Sequence, residues 1–237
     1  MRRRFHLLSN HRFESRVLLL FVALLAGAMI LAKAASEIVE GDTMAVDRAI
    51  VLALRVPGDS ALPIGPPWLT HAIIDLTALG SVAVLSLITC LATGYLLVER
   101  KPTIAAYMLA AVASGFAAGT LLKWVYARAR PDIVTHLVGT HSASFPSGHA
   151  MNSAIVYLTL AVLLARSAQR RSVRIYLISA AISLTVLVGC TRIYLGVHWP
   201  TDVLAGWVVG GLWAVGCSLA AKQLQSRKSI EGAGTSP

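Results

Sequence analysis

Residues 175–221 read IYLISAAISLTVLVGCTRIYLGVHWPTDVLAGWVVGGLWAVGCSLAA. Two runs in it, Ile175–Tyr194 and Asp202–Ala221, are each mostly apolar and about 20 residues long, the length a helix needs to cross a hydrocarbon core. Neither alternates apolar with polar residues, so neither reads as a strand of a membrane barrel. The short polar cluster that joins them, Thr191–Asp202, holds Arg192, His198 and Asp202. Working outward, the same pattern recurs at Ala150–Ala168, Thr103–Leu122, Ile73–Val98 and Arg16–Ala35, with ends uncertain by about 2–4 residues. The expected fold is all-α: one domain over 1–237, an integral membrane bundle of six transmembrane helices.

Composition agrees. Of 237 residues, 56% are hydrophobic and only 14% charged, against about 25% charged in a soluble domain. The net charge of +10 would raise nucleic acid for a soluble chain. Here the basic residues lie mainly between apolar segments, and no aromatic-interleaved basic patch or nucleic-acid motif is present, so nucleic acid is not an expected partner. Cys90, Cys190 and Cys217 are far apart without metal-ligand spacing, and read as buried packing residues.

Fourteen of the 21 Lys and Arg fall on one side of the expected bundle: Arg2, Arg3, Arg4, Arg12, Arg16, Arg100, Lys101, Arg166, Arg170, Arg171, Arg174, Lys222, Arg227 and Lys228. The other side receives Lys33, Arg48, Arg55, Lys123, Arg128, Arg130 and Arg192. The excess of basic residues predicts cytoplasmic termini in a cell (inner) membrane. Trp68, Trp124, Tyr126, Tyr194 and Trp199 gather on the outer side, where aromatics favour the headgroup level. The first span is expected to be retained; the alternative is a cleaved signal peptide, with Ala32-Lys33-Ala34 as a weak processing site.

Between the first two spans, Met44–Arg55 places Val46, Ala49, Ile50 and Ala53 on one face and Asp47, Arg48 and Arg55 elsewhere, the pattern of a short interfacial helix. Pro57, Pro63, Pro66 and Pro67 then break the chain. Gly115–Gly119 and Gly206–Gly210 read as close helix packing. The small, polar Ser229–Pro237 reads as a disordered tail.

Ionisable groups at membrane depth are costly and are functional candidates by default. Here they collect at the outer ends of spans three to six, in KWVYARARP (123–131), Pro146-Ser147-Gly148-His149 and TRIYLGVHWPTD (191–202). Lys123 and Arg130, seven apart, share a face if the helix continues through both. Ser147 suits a helix N-cap and Gly148 lets an anion approach free N–H groups. His198 and Asp202 are four apart, so a helical turn pairs imidazole with carboxylate. Each cluster alone could be a cap or an interface residue. Together they supply three cations, a helix-end anion site, two histidines and a supporting acid, an inventory suited to phosphoryl transfer. No cluster of Asp, Glu or Cys calls for a metal, so neither metal nor cofactor is expected.

Lys123-x6-Arg130-Pro131, Pro146-Ser147-Gly148-His149 and Arg192-x5-His198-x3-Asp202 resemble the three-part signature of the type 2 phosphatidic acid phosphatase superfamily, in its membrane-embedded branch. The resemblance implies that His198 attacks phosphorus and forms a phosphohistidine, with Asp202 orienting it. It implies that His149 protonates the departing oxygen, and that Lys123, Arg130, Ser147, Gly148 and Arg192 hold the phosphoryl oxygens. Pro131 and Pro146 would be structural. One departure is Thr191, where the family usually has serine; the hydroxyl is kept. That branch implies a lipid phosphate or diphosphate substrate of the polyprenyl diphosphate, phosphatidic acid or phosphatidylglycerophosphate class, entering sideways from the outer leaflet.

Arg128, Asp132, His136 and His141 read as solvated loop residues that could tune headgroup choice. His71 and Asp75 could pair with each other or lie near the site. A lipid phosphotransferase would use the same first half-reaction. A vanadium haloperoxidase shares a similar site, but six apolar spans argue against it. A non-enzymatic lipid carrier would need neither histidine. The sequence leaves the headgroup and the oligomeric state open.

Overall fold

The computed structural model describes residues 44–140 and 142–232. The expected first span Arg16–Ala35, His141 and the last five residues lie outside the described part.

Seven helices and one hairpin follow in order: α1 (Met44–Ala53), β1 (Arg55–Val56), β2 (Asp59–Pro63), α2 (Pro67–Thr77), α3 (Val82–Val98), α4 (Pro102–Tyr126), α5 (Gly148–Ser167), α6 (Arg171–Tyr194) and α7 (Pro200–Gly232). Proline stands at the first position of α2, α4 and α7, where its missing N–H costs nothing and its fixed φ suits the helix. Among the described residues four helices, α4 to α7, are long and apolar enough to cross a membrane, or five spans if α2 and α3 count as one. Several buried threonines of these helices return their hydroxyls to their own backbone, as Thr89 does to Leu85 O and Thr185 to Ala181 O, which satisfies them without water.

Three expectations need correction here. The second span is not one straight helix: α2 and α3 meet at 48° across the 3-10 turn Ala78–Gly80. Ser81 is extended there and its hydroxyl accepts from Val84 N, so it caps α3 instead of continuing α2. Second, Cys90 and Cys190 are exposed on helix flanks and Cys217 is half-buried; they do not pack the core. Third, Ser229–Gly232 prolong α7 rather than starting a tail, because residues 222–228, KQLQSRK, are mostly good helix formers without Gly or Pro.

The axis of the bundle is α5. More than half of its central window is buried, against a third or less for α4, α6 and α7. Met151, Ile155 and Val156 on α5 pack with Leu85 and Val112. Both glycine pairs serve close packing. A methyl group on Gly206 would sit 2.8 Å from Ser147 O and 3.0 Å from the Ala150 Cβ, and one on Gly210 would lie 2.5 Å from Met151 O. The start of α7 therefore lies directly on the backbone that begins α5. Gly206→Ala is expected to cost about 1–3 kcal/mol of stability by overpacking and to lower turnover, because it separates α5 from α7 at the end that carries the site. Thermal unfolding in detergent beside kcat measures both.

The short helix expected after the first span is present as α1, and its apolar residues Val46, Ala49 and Ile50 are exposed. Its inward residues are Asp47 and Val51, both fully buried. The hairpin β1–β2 that follows adds a small antiparallel ribbon to the otherwise helical chain. Of the aromatic group assigned to the outer belt, Trp68 and Trp124 are exposed, but Tyr194 and Trp199 are buried. They turn inward because their polar atoms bond Ile64 O and Ala129 O.

Candidate active site

The three sequence clusters meet at one end of α4 to α7. Lys123 is on the last turn of α4 and Arg192 on the last turn of α6. Gly148 and His149 open α5, and Asp202 lies in the first turn of α7. The arrangement suits helix dipoles: the two cations sit at negative C-terminal ends, and the N-terminus of α5 offers its N–H groups to an anion. Ser147 N donates to Asp202 O, which ties the second cluster to the third.

Helix α4 does not continue through Arg130. It ends at Ala127, whose left-handed backbone (φ 44) turns the chain into the loop before α5. Arg130 reaches the site from that loop. Its Nε donates to Ser142 O, one terminal nitrogen donates to Val197 O, and the same nitrogen lies 3.3 Å from His198 Nε2. Lys123 Nζ donates to Ala143 O at 2.6 Å, and its side chain runs beside Gly148.

His198 is 2% exposed, in the turn between α6 and α7. Its Nδ1 lies 3.6 Å from Asp202 Oδ2, too far for a direct hydrogen bond. The Ser144 hydroxyl bridges them: it donates to Asp202 Oδ2 at 2.5 Å and lies 3.3 Å from His198 Nδ1. The network assigns the proton to Nδ1 and leaves the Nε2 lone pair toward Arg130. Asp202 is further held by Trp199 N on Oδ2 and by Arg128 on Oδ1 at 2.7 Å. Every donor around this carboxylate favours its charged form.

Burial, only partly opposed by the nearby Asp202 carboxylate, lowers the His198 pKa to about 4, and the Arg130 and Lys123 charges add to the fall. The imidazole is neutral at pH 7 and protonates only as pH drops through about 4, whereas an ordinary histidine would protonate below about 6.5. NMR titration of labelled histidine, assigned with His198→Ala, is expected to show this ring uncharged down to pH 5. The rate term that requires its lone pair is then flat over the same range.

Two of the residues expected to hold phosphate have a buried polar atom without a hydrogen-bond partner, Ser147 Oγ and Arg192 Nε; Arg128 Nε, beside Asp202, is a further such atom. Ser147 occupies the N-cap of α5, yet its side chain makes no cap bond. Buried hydroxyls and guanidinium nitrogens are nearly always bonded, so these two donors are free for an anion. Arg192 is positioned by Thr77 Oγ1 at 3.2 Å. His149 packs against the position of Gly80 in the bend between α2 and α3, which is held by Tyr157 OH on Leu79 O. It is within electrostatic reach of Arg192, His198, Arg130 and Lys123. Among the described residues no three His, Cys, Asp or Glu side chains converge as metal ligands would.

The structure thus gathers all eight residues singled out in the sequence: Lys123, Arg130, Ser147, Gly148, His149, Arg192, His198 and Asp202. Ser144, Thr77 and Asp47 had no sequence signal. Arg128, expected in a solvated loop, is buried: it spans Asp202 and Asp47, and stacks 5.8 Å over the Trp199 ring. His136 is exposed and bonds Pro131 O, and His71 and Asp75 are exposed.

The model of the PAP2 superfamily matches residues 104–226. The chain is 37% identical over 155 residues to phosphatidylglycerophosphatase B of Bacillus subtilis (strain 168), covering 64% of this chain and 74% of that one. It is 36% identical over 118 residues to an undecaprenyl-diphosphatase of Sulfolobus acidocaldarius, covering 48% of this chain and about half (52%) of that protein. The crystal structure of a transmembrane PAP2-type phosphatidylglycerolphosphate phosphatase from Bacillus subtilis superposes with a TM-score of 0.74 at 30% identity, over 82% of this chain and 94% of that one. By the extent of these matches, the chain belongs to the PAP2 superfamily.

Proposed function

We propose that this integral membrane lipid phosphatase removes phosphate from a lipid phosphate or diphosphate through a phosphohistidine on His198, without a metal. The observation that carries the reading is the pair of partnerless buried donors, Ser147 Oγ and Arg192 Nε, at a site where His198 Nε2 faces Arg130. In the first step His198 Nε2 attacks phosphorus in line with the departing oxygen. Asp202, through Ser144, stabilises the positive charge that develops on the ring. Lys123, Arg130, Arg192, the Ser147 hydroxyl and the Gly148 N–H hold the three equatorial oxygens, where the transition-state charge lies. His149, in its protonated form, gives its proton to the departing lipid or phosphate oxygen and is left neutral. In the second step it takes a proton from water, which attacks the phosphohistidine and frees phosphate.

The site lies at the helix ends to which the sequence assigns fewer basic residues, which supports a site on the outer side of the cell membrane with cytoplasmic termini. The named relatives point to phosphatidylglycerophosphate and undecaprenyl diphosphate as the substrate classes to try first. Phosphate release is to be measured in detergent with EDTA on these two lipids and on phosphatidic acid. Release that persists in EDTA and is lost in His198→Ala is expected. Release that needs a divalent metal, or that survives the substitution, would overturn the mechanism. Adding an acceptor lipid separates hydrolysis from phosphotransfer.

A further inference from the structure

Outside the family match, Thr77 and the bend at Gly80 reach the site, and α1 reaches it as well, through Arg128. We infer that Asp47 on α1 is a positioning residue for the catalytic pair: acting through Arg128, it holds Asp202 where it can serve His198. The inference rests on the phosphohistidine reading above.

Asp47 is fully buried. One carboxylate oxygen accepts from Thr201 N at 3.0 Å. The other accepts from Thr201 Oγ1 at 2.6 Å and from Arg128 at 3.0 Å. Thr201 N belongs to the first turn of α7, where no backbone acceptor exists. Asp47 therefore caps, from another element, the helix that carries Asp202. The second nitrogen of Arg128 reaches Asp202 Oδ1 at 2.7 Å and Thr201 Oγ1 at 2.9 Å. The guanidinium is a fork with one carboxylate on each tine.

Charge explains why both acids are needed. Arg128 with Asp202 alone is a neutral ion pair, and the guanidinium is free to take both oxygens of that carboxylate. Asp202 would then turn from Ser144 and His198. With Asp47 on the other tine, Arg128 is held to one oxygen of Asp202, and the cluster keeps a net negative charge for the imidazolium that forms during attack. Buried groups of this kind feel each other strongly because little water screens them. The same segment holds the far side of the catalytic turn: Arg55 donates to Tyr194 O at 2.9 Å, at the end of α6. His198 thus lies between two anchors four and three residues away, both supplied by residues 47–55. Gly196, at φ +72 in that turn, faces Arg55 at a distance no side chain could share.

The test is Asp47→Asn in the full-length protein, which keeps shape and one acceptor but removes the charge. A misplacement of about 1 Å costs on the order of a hundredfold in rate, so kcat is expected to fall about 10–100-fold with KM within twofold. Vanadate adopts the geometry of the phosphoryl transition state, and its inhibition constant is expected to rise by the same factor. A merely structural role would lower the amount of active enzyme and leave the vanadate constant unchanged, which would overturn the inference, as would wild-type kcat. Arg128→Lys keeps the charge but cannot bridge both acids, and supplies the second variant should Asp47→Asn not fold. Asp47→Asn added to Arg128→Lys is expected to cost nothing further; multiplicative losses would sink the relay. If His198→Ala retains activity, the phosphohistidine reading has failed. If His198→Ala is inactive while Asp47→Asn behaves as wild type, only the relay has failed.

Discussion

His198→Ala is expected to reduce phosphate release by about four orders of magnitude or more, the scale at which loss of a nucleophile leaves only binding and charge stabilisation. The substitution removes the imidazole whose Nε2 lies 3.3 Å from Arg130 in the cation cluster. None of the surrounding groups can replace it. Ser147 is the nearest candidate by chemistry, but a hydroxyl needs a base, and removing His198 removes the one held by Asp202. The cations remain, so phosphate and vanadate should still be attracted, and KM should move less than kcat. The second signature is chemical. Wild-type enzyme incubated with ³²P-labelled lipid and stopped in alkaline detergent is expected to keep the label in base and lose it in acid, as an N–P bond does. The variant should carry no label. An acid-stable label would instead indicate an ester and send the nucleophile to a hydroxyl. The effect on the fold should be smaller than on the rate, because His198 is held by its neighbours more than it holds them.

How much of this was legible in the chain depends on the kind of interaction. Lys123, Arg130, Ser147, Gly148, His149, Arg192, His198 and Asp202 stood out because charge is scarce in a chain that is 56% hydrophobic, so each ionisable residue at membrane depth needed a reason. The glycine pairs were legible for a similar reason: Gly206 and Gly210 sit one turn apart in an apolar helix, and they do meet the α5 backbone. Ser144 and Thr77 were not legible, because a serine or threonine bonded to a histidine or arginine from 54 or 115 residues away has no local pattern. Asp47 and Arg128 were misread for a more instructive reason. On an interfacial helix the polar face is expected to meet water, but α1 turns its apolar face outward and its aspartate inward. Arg128 sits in a loop where solvation is the usual fate, and only Asp47 and Asp202, from distant segments, make its burial tolerable. The bend at Ala78–Gly80 combines a local cap, Ser81 on Val84 N, with a distant contact, since Gly80 packs where a methyl group would meet Val188 and His149.

Asp202→Asn is expected to cost both catalysis and stability, and the reason can be counted at two oxygen atoms. Oδ1 accepts from Arg128. Oδ2 accepts from the Ser144 hydroxyl and from Trp199 N, and faces His198 Nδ1. All four neighbours are donors. An asparagine offers one acceptor and one NH2. Placed one way, the amide points its hydrogens at Arg128. Flipped, it points them at Ser144, Trp199 and the imidazole, and favours the tautomer with the proton on Nε2, which has no lone pair for phosphorus. Neither orientation satisfies the site. Losing one partner of a buried charge pair costs about 3–5 kcal/mol, and the corresponding change in a His–Asp pair lowers kcat about 10⁴-fold through the wrong tautomer. Thermal unfolding in detergent should therefore shift down clearly, while kcat per folded molecule falls by three to four orders of magnitude. The two readings separate the roles of Asp202. A fall in stability with normal turnover of the folded fraction would make it a strut for Arg128 and the start of α7. A fall in turnover at unchanged stability would mean that the neighbours rearrange around the amide. The geometry, with the carboxylate serving Arg128 and the helix on one side and the imidazole on the other, requires both.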